Sequence, residues 1–122
     1  MITCHEIGRV VCAHFVLDPK VFWAPGMGYR SVHRPRQMAM ALCREFTGAS
    51  YPKIAKAFSK RDHTTVYHAV RTMRALELED IDVLRSMRAL RRDIEYRFLT
   101  SQIPQYVKPK VELFTAAERT AA

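Results

Sequence analysis

Cysteine is scarce in this chain, and its spacing excludes the two structures that cysteine most often builds in a small protein. The 122 residues contain three cysteines, an odd number without a C-x-x-C pair: Cys4, Cys12 and Cys43. A disulfide framework needs paired cysteines, and a cysteine-rich zinc site needs closely spaced ones. We therefore predict that all three cysteines are packing residues.

Long apolar runs are also missing. The longest stretches, such as VVCAHFVLD, are far too short to span a bilayer. The N-terminus lacks the basic region, long apolar core and small-residue cleavage site of a secretory signal. No G-x-x-x-x-G-K-[ST] phosphate loop occurs in the chain. We expect a soluble intracellular protein without a nucleotide-hydrolysing module.

Acidic residues are few relative to basic ones. Lys and Arg number 20 against 12 Asp and Glu, which gives a formal net charge of +8. Such a charge favours a polyanionic partner, with nucleic acid as the first hypothesis and an anionic membrane as the second. A length of 122 residues with 48% hydrophobic residues suits one domain with a single modest core.

Hydrophobic periodicity predicts an almost entirely helical chain. Apolar residues recur at helical spacing over residues 3–17 and again over about 79–100. Between them, a helix is predicted from Arg34, with Pro35 in its first turn, to the Thr47-Gly48 pair. The last helix is expected to turn Val83, Met87, Leu90, Ile94 and Phe98 inward.

The segment ASYPKIAKAFSKRDHTTVYHAVRTM predicts two further helices joined by a tight turn. Ser50 is placed to cap the first, which has Pro52 in its first turn, and Asp62 is placed to cap the second. One face of the second helix is apolar: Val66, Ala69, Val70 and Met73. The polar residues lie toward the other face or the first turn: His63, Thr64, Tyr67, His68 and Arg71. This pattern is typical of a helix-turn-helix, whose second helix enters the major groove.

Three segments, RPRQMAMALCREFTG, YPKIAKAF and RDHTTVYHAVR, resemble the C-terminal DNA-binding domain of the bacterial replication initiator DnaA. They follow the order and spacing of that family, whose signature is an R-P-R-Q helix and a helix-turn-helix ending in RDHTTV. The resemblance implies a small all-α domain with a helix-turn-helix (DnaA C-terminal or Trp-repressor-like) and a long C-terminal helix over residues 1–100. Residues 101–122 are expected to form a flexible tail. The implied ligand is duplex DNA carrying nine-base-pair DnaA boxes.

The resemblance assigns base contacts to Asp62, His63 and Thr64. Residue chemistry agrees, because Asp accepts from a cytosine amino group, His offers a ring nitrogen, and Thr presents a hydroxyl and a methyl group. For Asp62, helix capping is the other interpretation, and one carboxylate can do both. Contacts with the DNA backbone are assigned to Arg36, Gln37, Arg44, Arg61, Thr65 and His68. Backbone contacts supply affinity and register rather than sequence information.

The loop before R-P-R-Q departs from the family pattern. Family members usually carry several basic residues there, one of which enters the minor groove. In this chain the loop sequence is APGMGYRSVH, in which Arg30 is the one arginine. Gly28 stands where the family pattern places the arginine that enters the minor groove. We predict that Arg30 makes the minor-groove base contact and that box preference is relaxed.

An enzyme and a metal protein are disfavoured. His63 and His68 stand at i, i+5, which separates them around the helix, and neither a nucleophile-base set nor supporting metal ligands accompany them. We expect no catalysis, no metal and no cofactor.

Two functions stay open at this point. In the first, the chain binds DNA and regulates replication initiation or transcription. In the second, it is an adaptor that binds the full-length initiator or another regulator. For an adaptor, the docking elements would be KVELFTAAE in the tail, the N-terminal helix, or Trp23, although burial of Trp23 in the core is favoured. Either way we expect a cytoplasmic, nucleoid-associated protein, bacterial or phage-encoded. The oligomeric state is undetermined.

Overall fold

The chain folds into α-helices throughout the part that its structure, a computed structural model, describes: residues 2–25, 30–59 and 62–102. The predicted tail lies outside these ranges from residue 103 onward. The helices are α1 (Cys4–His14), α2 (Pro19–Phe22), α3 (Arg30–Thr47), α4 (Tyr51–Ala57), α5 (His63–Glu79) and α6 (Ile81–Gln102). None of these helices combines the length and the hydropathy needed to cross a membrane.

Side-chain caps fix where the helices begin. At α1, the Thr3 hydroxyl accepts from the Glu6 amide at 3.1 Å, and the Glu6 carboxylate accepts from the Thr3 amide at 3.3 Å. This reciprocal capping box satisfies two backbone donors that the helix leaves unpaired. At α4, the predicted cap is confirmed, because the Ser50 hydroxyl accepts from the Lys53 amide at 3.3 Å. The start of α4 is therefore a local property of the sequence.

Helix α3 is longer than the sequence predicts. It begins at Arg30 rather than at Arg34, so Pro35 lies inside the helix instead of in its first turn. The ring of Pro35 removes one backbone hydrogen bond, but its fixed φ is compatible with the helix. Val32 is 1% exposed, and burying it in the core favours the extra turn. The helix ends as predicted, since Gly48 adopts a φ of +65° that stops it.

The core is built from one apolar face of each long helix, with α3 between α1 and α5. The predicted apolar face of α5 is confirmed as buried, and so are Val83, Met87, Leu90 and Ile94 of α6. Phe98 is a correction: it was expected to be buried but is 39% exposed, because Ile2 and Phe46, which line a cavity with it, cover only part of its ring. The other large side chains at the centre are Ile7, Phe22, Met40, Leu42, Ile54 and Phe58.

An ion-pair cluster joins α3, α5 and α6. Arg91 donates to the Glu77 carboxylate through both terminal nitrogens at 2.6 and 2.9 Å, and its Nε lies 2.9 Å from a Glu45 oxygen. Hydrogen bonds with Glu77 and Glu45 raise the pKa of Arg91 above its usual value. The side chain of Arg91 is half-buried, with 27% of its surface exposed. Arg91 therefore links α6 to both α3 and α5.

Trp23 packs the end of α2 against α1 and α4. Its indole stacks on the imidazole of His5, with centroids 4.9 Å apart, and on the ring of Phe58 at 5.2 Å. On α1, the indole lies against Gly8, where any β-carbon would overlap the ring. The side chain is half-buried and belongs to the edge of the core.

Candidate nucleic-acid interface

Helices α4 and α5 form the helix-turn-helix. Ile54 of α4, Phe58 just after it and Val66 of α5 are fully buried between the two helices and the rest of the core. Ser59 begins the connection with a φ of +68°, a left-handed conformation that turns the chain sharply. Its hydroxyl donates to the carbonyl of Trp23. The turn is thereby anchored to α2 as well as to the two helices that it joins.

The first turn of α5 is ordered by Asp62. Its Oδ1 accepts from the Thr64 amide at 2.9 Å, and its carbonyl accepts from the Thr65 amide at 2.9 Å. Hydrogen bonds from the amide and hydroxyl of Thr64 hold the pKa of Asp62 below its usual value, and His63 adds to the effect. The capping role of Asp62 is thus confirmed. These bonds fix the backbone of the turn that carries His63 and Thr64.

The predicted DNA-contacting residues of α5 share its solvent face. Asp62, His63, Thr64, Thr65 and His68 are all exposed. The side chains of Asp62 and His63 are 67% and 61% exposed, and His63 Nδ1 lies 3.4 Å from Asp62 Oδ1. The helix therefore presents a continuous polar surface at its N-terminal end. Their individual contacts with DNA stay predictions.

A row of side chains in contact continues this surface across α3, α4 and α5. Arg71 Nη1 donates to the Tyr67 hydroxyl at 3.0 Å, and the Tyr67 ring meets the Tyr51 ring edge-on with centroids 5.7 Å apart. The Arg44 guanidinium lies 4.7 Å from the centroid of Tyr51 and donates to the Ala49 carbonyl at 2.8 Å. We call Arg44, Tyr51, Tyr67 and Arg71 the aromatic row. The two tyrosines were not among the predicted contact residues, although the spacing of Tyr67 four residues after His63 marks the same helix face.

Arg36 lies apart from this surface. It is 3% exposed, and its guanidinium donates to the carbonyls of Phe22 at 2.9 Å, Val21 at 2.6 Å and Ala24 at 3.2 Å. These carbonyls include the last ones of α2, which that helix cannot pair itself. The geometry favours a structural role for Arg36, and its assignment to a phosphate stays a prediction.

The remaining predicted residues are divided between described and undescribed parts of the chain. Gln37 is half-buried, and its side-chain oxygen accepts from Arg34 at 2.7 Å. Arg61 lies outside the described residues, as does the side chain of Arg30, whose backbone begins α3. Within the described ranges, no three His, Cys, Asp or Glu side chains converge on a point where a metal ion would fit.

The fold and this surface define a helix-turn-helix DNA-binding domain. The family described as the bacterial dnaA protein helix-turn-helix matches residues 4–73. The chain belongs to this family, which confirms the resemblance carried by the RPRQ and RDHTTV segments. The matched family is a DNA-binding module rather than a catalytic one.

Individual relatives agree with the family match. The chain is 46% identical over 93 residues to the chromosomal replication initiator protein DnaA of Sphingopyxis alaskensis, covering 76% of this chain and 20% of that protein. It is 39% identical over 94 residues to the protein of the same name from Ruegeria pomeroyi, covering 77% of this chain and 20% of that protein. The chain thus spans about a fifth of the length of these curated relatives.

Proposed function

We propose that this chain binds duplex DNA sequence-specifically at DnaA-box-like sites, with α5 in the major groove. The observation that carries the proposal is the exposed polar end of α5, held in place by the Asp62 cap and by an apolar face buried beneath it. A recognition helix needs both properties, because base readout requires side chains that are accessible and already oriented.

Three side chains are proposed to read bases. Asp62 accepts from a cytosine amino group through the carboxylate lone pairs that the helix cap does not use. His63 contacts a base edge through a ring nitrogen. Thr64 packs its methyl group against thymine or donates its hydroxyl. All three stand within one turn of α5, so they face two or three neighbouring base pairs.

Phosphate contacts are proposed to flank the base-reading residues. Thr65 and His68 continue the face of α5, and Gln37 and Arg44 approach from α3, joined by Arg61 from the turn. Arg44 is the best oriented of the described residues, since the Tyr51 ring and the Ala49 carbonyl immobilise its guanidinium. A fixed cation loses less conformational entropy when it meets a phosphate. With about six phosphates neutralised, the logarithmic salt slope would be near −5.

Arg30 is proposed to enter the minor groove. Its backbone begins α3, and it is the one arginine of the APGMGYRSVH segment that precedes R-P-R-Q. Since minor-groove readout then depends on a single side chain, box preference is expected to be weaker on that side of the site.

The proposed biological role is modulation of replication initiation or of transcription in the cytoplasm, at the nucleoid. The relatives are named chromosomal replication initiator proteins, and this chain spans about a fifth of their length. A chain that occupies boxes competes with, or assists, an initiator that reads the same sequence. Promoters that carry similar boxes would be controlled by the same occupancy.

Fluorescence anisotropy tests the proposal. A labelled duplex with a DnaA box and a scrambled duplex are titrated across a salt series with wild type, His63→Ala and Thr64→Ala. We expect a box preference of about a hundredfold, equal to roughly 2.7 kcal/mol, that both substitutions abolish. His14→Ala, at the exposed end of α1, is the matched control and should leave the preference unchanged. Equal, steeply salt-dependent binding to both duplexes would contradict major-groove readout.

A second candidate function is a protein-interaction adaptor. Leu78 and Ile81, at the corner between α5 and α6, are 88% and 57% exposed, and this corner lies about 24 Å along α5 from the DNA-reading end. An apolar corner of this kind is accessible while α5 occupies DNA. Binding of the full-length initiator without DNA, weakened by Leu78→Ser but not by His63→Ala, would establish this activity as separate.

A further inference from the structure

Cys4 and Cys43 are 39 positions apart in the chain but lie together in the fold. Cys4 is the first residue of α1, and Cys43 lies in the last half of α3. The Cys43 thiol donates to the Cys4 carbonyl, with 3.7 Å between sulfur and oxygen. Thr47 completes the cluster, with its hydroxyl oxygen 4.0 Å from the Cys4 sulfur and donating to the Cys43 carbonyl at 2.6 Å.

The two thiols differ in environment and therefore in reactivity. Hydrogen bonding from Cys43, and to a smaller extent from Thr47, lowers the pKa of the half-buried Cys4 to about 7. Interaction with the neighbouring Cys4 thiol and then burial raise the pKa of Cys43, which is fully buried. The thiolate is the nucleophile, so the lowered pKa makes Cys4 the more reactive of the two thiols. Cys43 keeps its proton and donates it to the Cys4 carbonyl.

Cys12 is a built-in comparison. It is 5% exposed, its thiol donates to the Leu17 carbonyl at 3.2 Å, and burial raises its pKa. A buried thiol with a raised pKa is inert to mild oxidants. Any modification that follows thiolate character should therefore avoid Cys12.

We propose that Cys4 and Cys43 are a hydroperoxide-sensitive thiol pair, in which Cys4 is oxidised first and Cys43 resolves it to a disulfide. In the first step, the Cys4 sulfur bonds to one peroxide oxygen and the O–O bond breaks, which leaves Cys4 as a sulfenic acid and releases the other oxygen as water. In the second, the Cys43 sulfur displaces the hydroxyl group from Cys4, which leaves as water with the Cys43 proton. Two thiols are oxidised and one hydrogen peroxide is reduced to two waters.

The disulfide would tie the first residue of α1 to α3. The crosslink closes a long loop, from residue 4 to residue 43, which is the case in which a disulfide restrains the unfolded chain most. Arg44 is the next residue on α3, but its guanidinium faces Tyr51 of α4. The oxidised protein is therefore expected to be more heat-stable and to keep its affinity for DNA within about threefold.

Peptide mapping of the full chain tests the proposal. The reduced protein is treated with an equimolar amount of hydrogen peroxide, its free thiols are alkylated, and it is digested with trypsin for mass spectrometry. We expect peptides 1–9 and 37–44 to be joined, with the loss of two hydrogens, and Cys12 to be alkylated in peptide 10–20. Dithiothreitol should reverse the link, and the oxidised form should melt at least about 5 °C higher.

Cysteine variants test the oxidation of Cys4 separately from the formation of the disulfide with Cys43. Cys43→Ser keeps a hydrogen-bond donor beside Cys4, so Cys4 should still form a sulfenic acid that dimedone traps, without the crosslink. Cys43→Ala removes the donor and should move the pH midpoint of Cys4 alkylation upward by at least about one unit. Cys12→Ser should crosslink like wild type. Crosslinks through Cys12, mainly intermolecular dimers, or a Cys4 that reacts no faster than Cys12 would each overturn the proposal.

Discussion

Replacing Arg36 with Met separates a structural arginine from a DNA-contacting one. In the folded protein its guanidinium donates to three carbonyls at the end of α2 and just after it, at 2.6 to 3.2 Å, from a position that is 3% exposed. Met has a similar length and packs in an apolar site, so the substitution removes the hydrogen bonds with little change in volume.

The expected loss of stability follows from these bonds. A hydrogen bond from a charged group contributes about 1.5–3 kcal/mol, but the Val21 and Ala24 carbonyls are half-buried and regain part of the loss from water. We therefore expect Arg36→Met to lower the free energy of unfolding by about 3 kcal/mol and the melting temperature by more than about 10 °C. Arg36→Lys should lose nearly as much, because an ammonium group does not reproduce the fork of a guanidinium.

Urea denaturation followed by circular dichroism measures the stability. The salt dependence of DNA binding, at a temperature where the variant is folded, measures the phosphate contact. A structural Arg36 leaves the logarithmic salt slope unchanged, whereas Arg44→Met should reduce its magnitude by about 0.9.

The opposite pair of results would refute this reasoning. If Arg36→Met unfolded within about 1 kcal/mol of wild type and reduced the salt slope by about 0.9, Arg36 would be a phosphate contact. The hydrogen bonds to α2 would then add little to stability.

Three further predictions concern the packing and the cap. Gly8→Ala should destabilise the fold by about 1–3 kcal/mol in thermal unfolding, because the new methyl group displaces Trp23 from its two stacked neighbours; an unchanged melting temperature would contradict this packing. Arg91→Met should lower the free energy of unfolding by about 2 kcal/mol, because it leaves the Glu77 side chain, which is 15% exposed, without its partner. Glu45→Gln should lower it by less than about 1 kcal/mol, because the Glu45 side chain is 44% exposed. Because the pKa of Asp62 is lower in the folded protein than in the unfolded chain, its ionised carboxylate stabilises the fold at pH values above the usual pKa of Asp. This stabilisation is lost as the pH falls through the pKa that Asp62 has in the folded protein. The melting temperature of wild type relative to Asp62→Asn should therefore fall between pH 6 and pH 3, and a constant difference would show that the charge on Asp62 does not matter.

Local signals in the sequence determined most of the helix-turn-helix. Ser50 and Asp62 cap α4 and α5 as predicted, because a cap depends only on a side chain and amides two or three residues away. The apolar face of α5 was predictable for the same reason, since helical periodicity alone places Val66, Ala69 and Val70 together. The RDHTTV segment then identified the family.

The tertiary structure decided what depended on distant neighbours. Helix α3 begins a turn earlier than predicted and thereby buries Val32 in the core. Phe98 lies beside Ile2 and Phe46, which cover only part of its ring. The hydrogen-bond partners of Arg36 and Arg91 come from other helices. No local sequence pattern could therefore predict that Arg36 bonds the carbonyls of α2 or that Arg91 forms a half-buried ion pair with Glu77.

The same distinction holds for the cysteines. Their number and spacing excluded a disulfide framework and a zinc site, and on that ground all three were predicted to be packing residues. Sequence spacing carries no information on contacts between residues far apart in the chain, and only the packing of α1 on α3 brings Cys4 and Cys43 within hydrogen-bond reach. Periodicity and capping act over one or two helical turns, whereas the chemistry of a thiol or a guanidinium is set by whatever the fold places beside it.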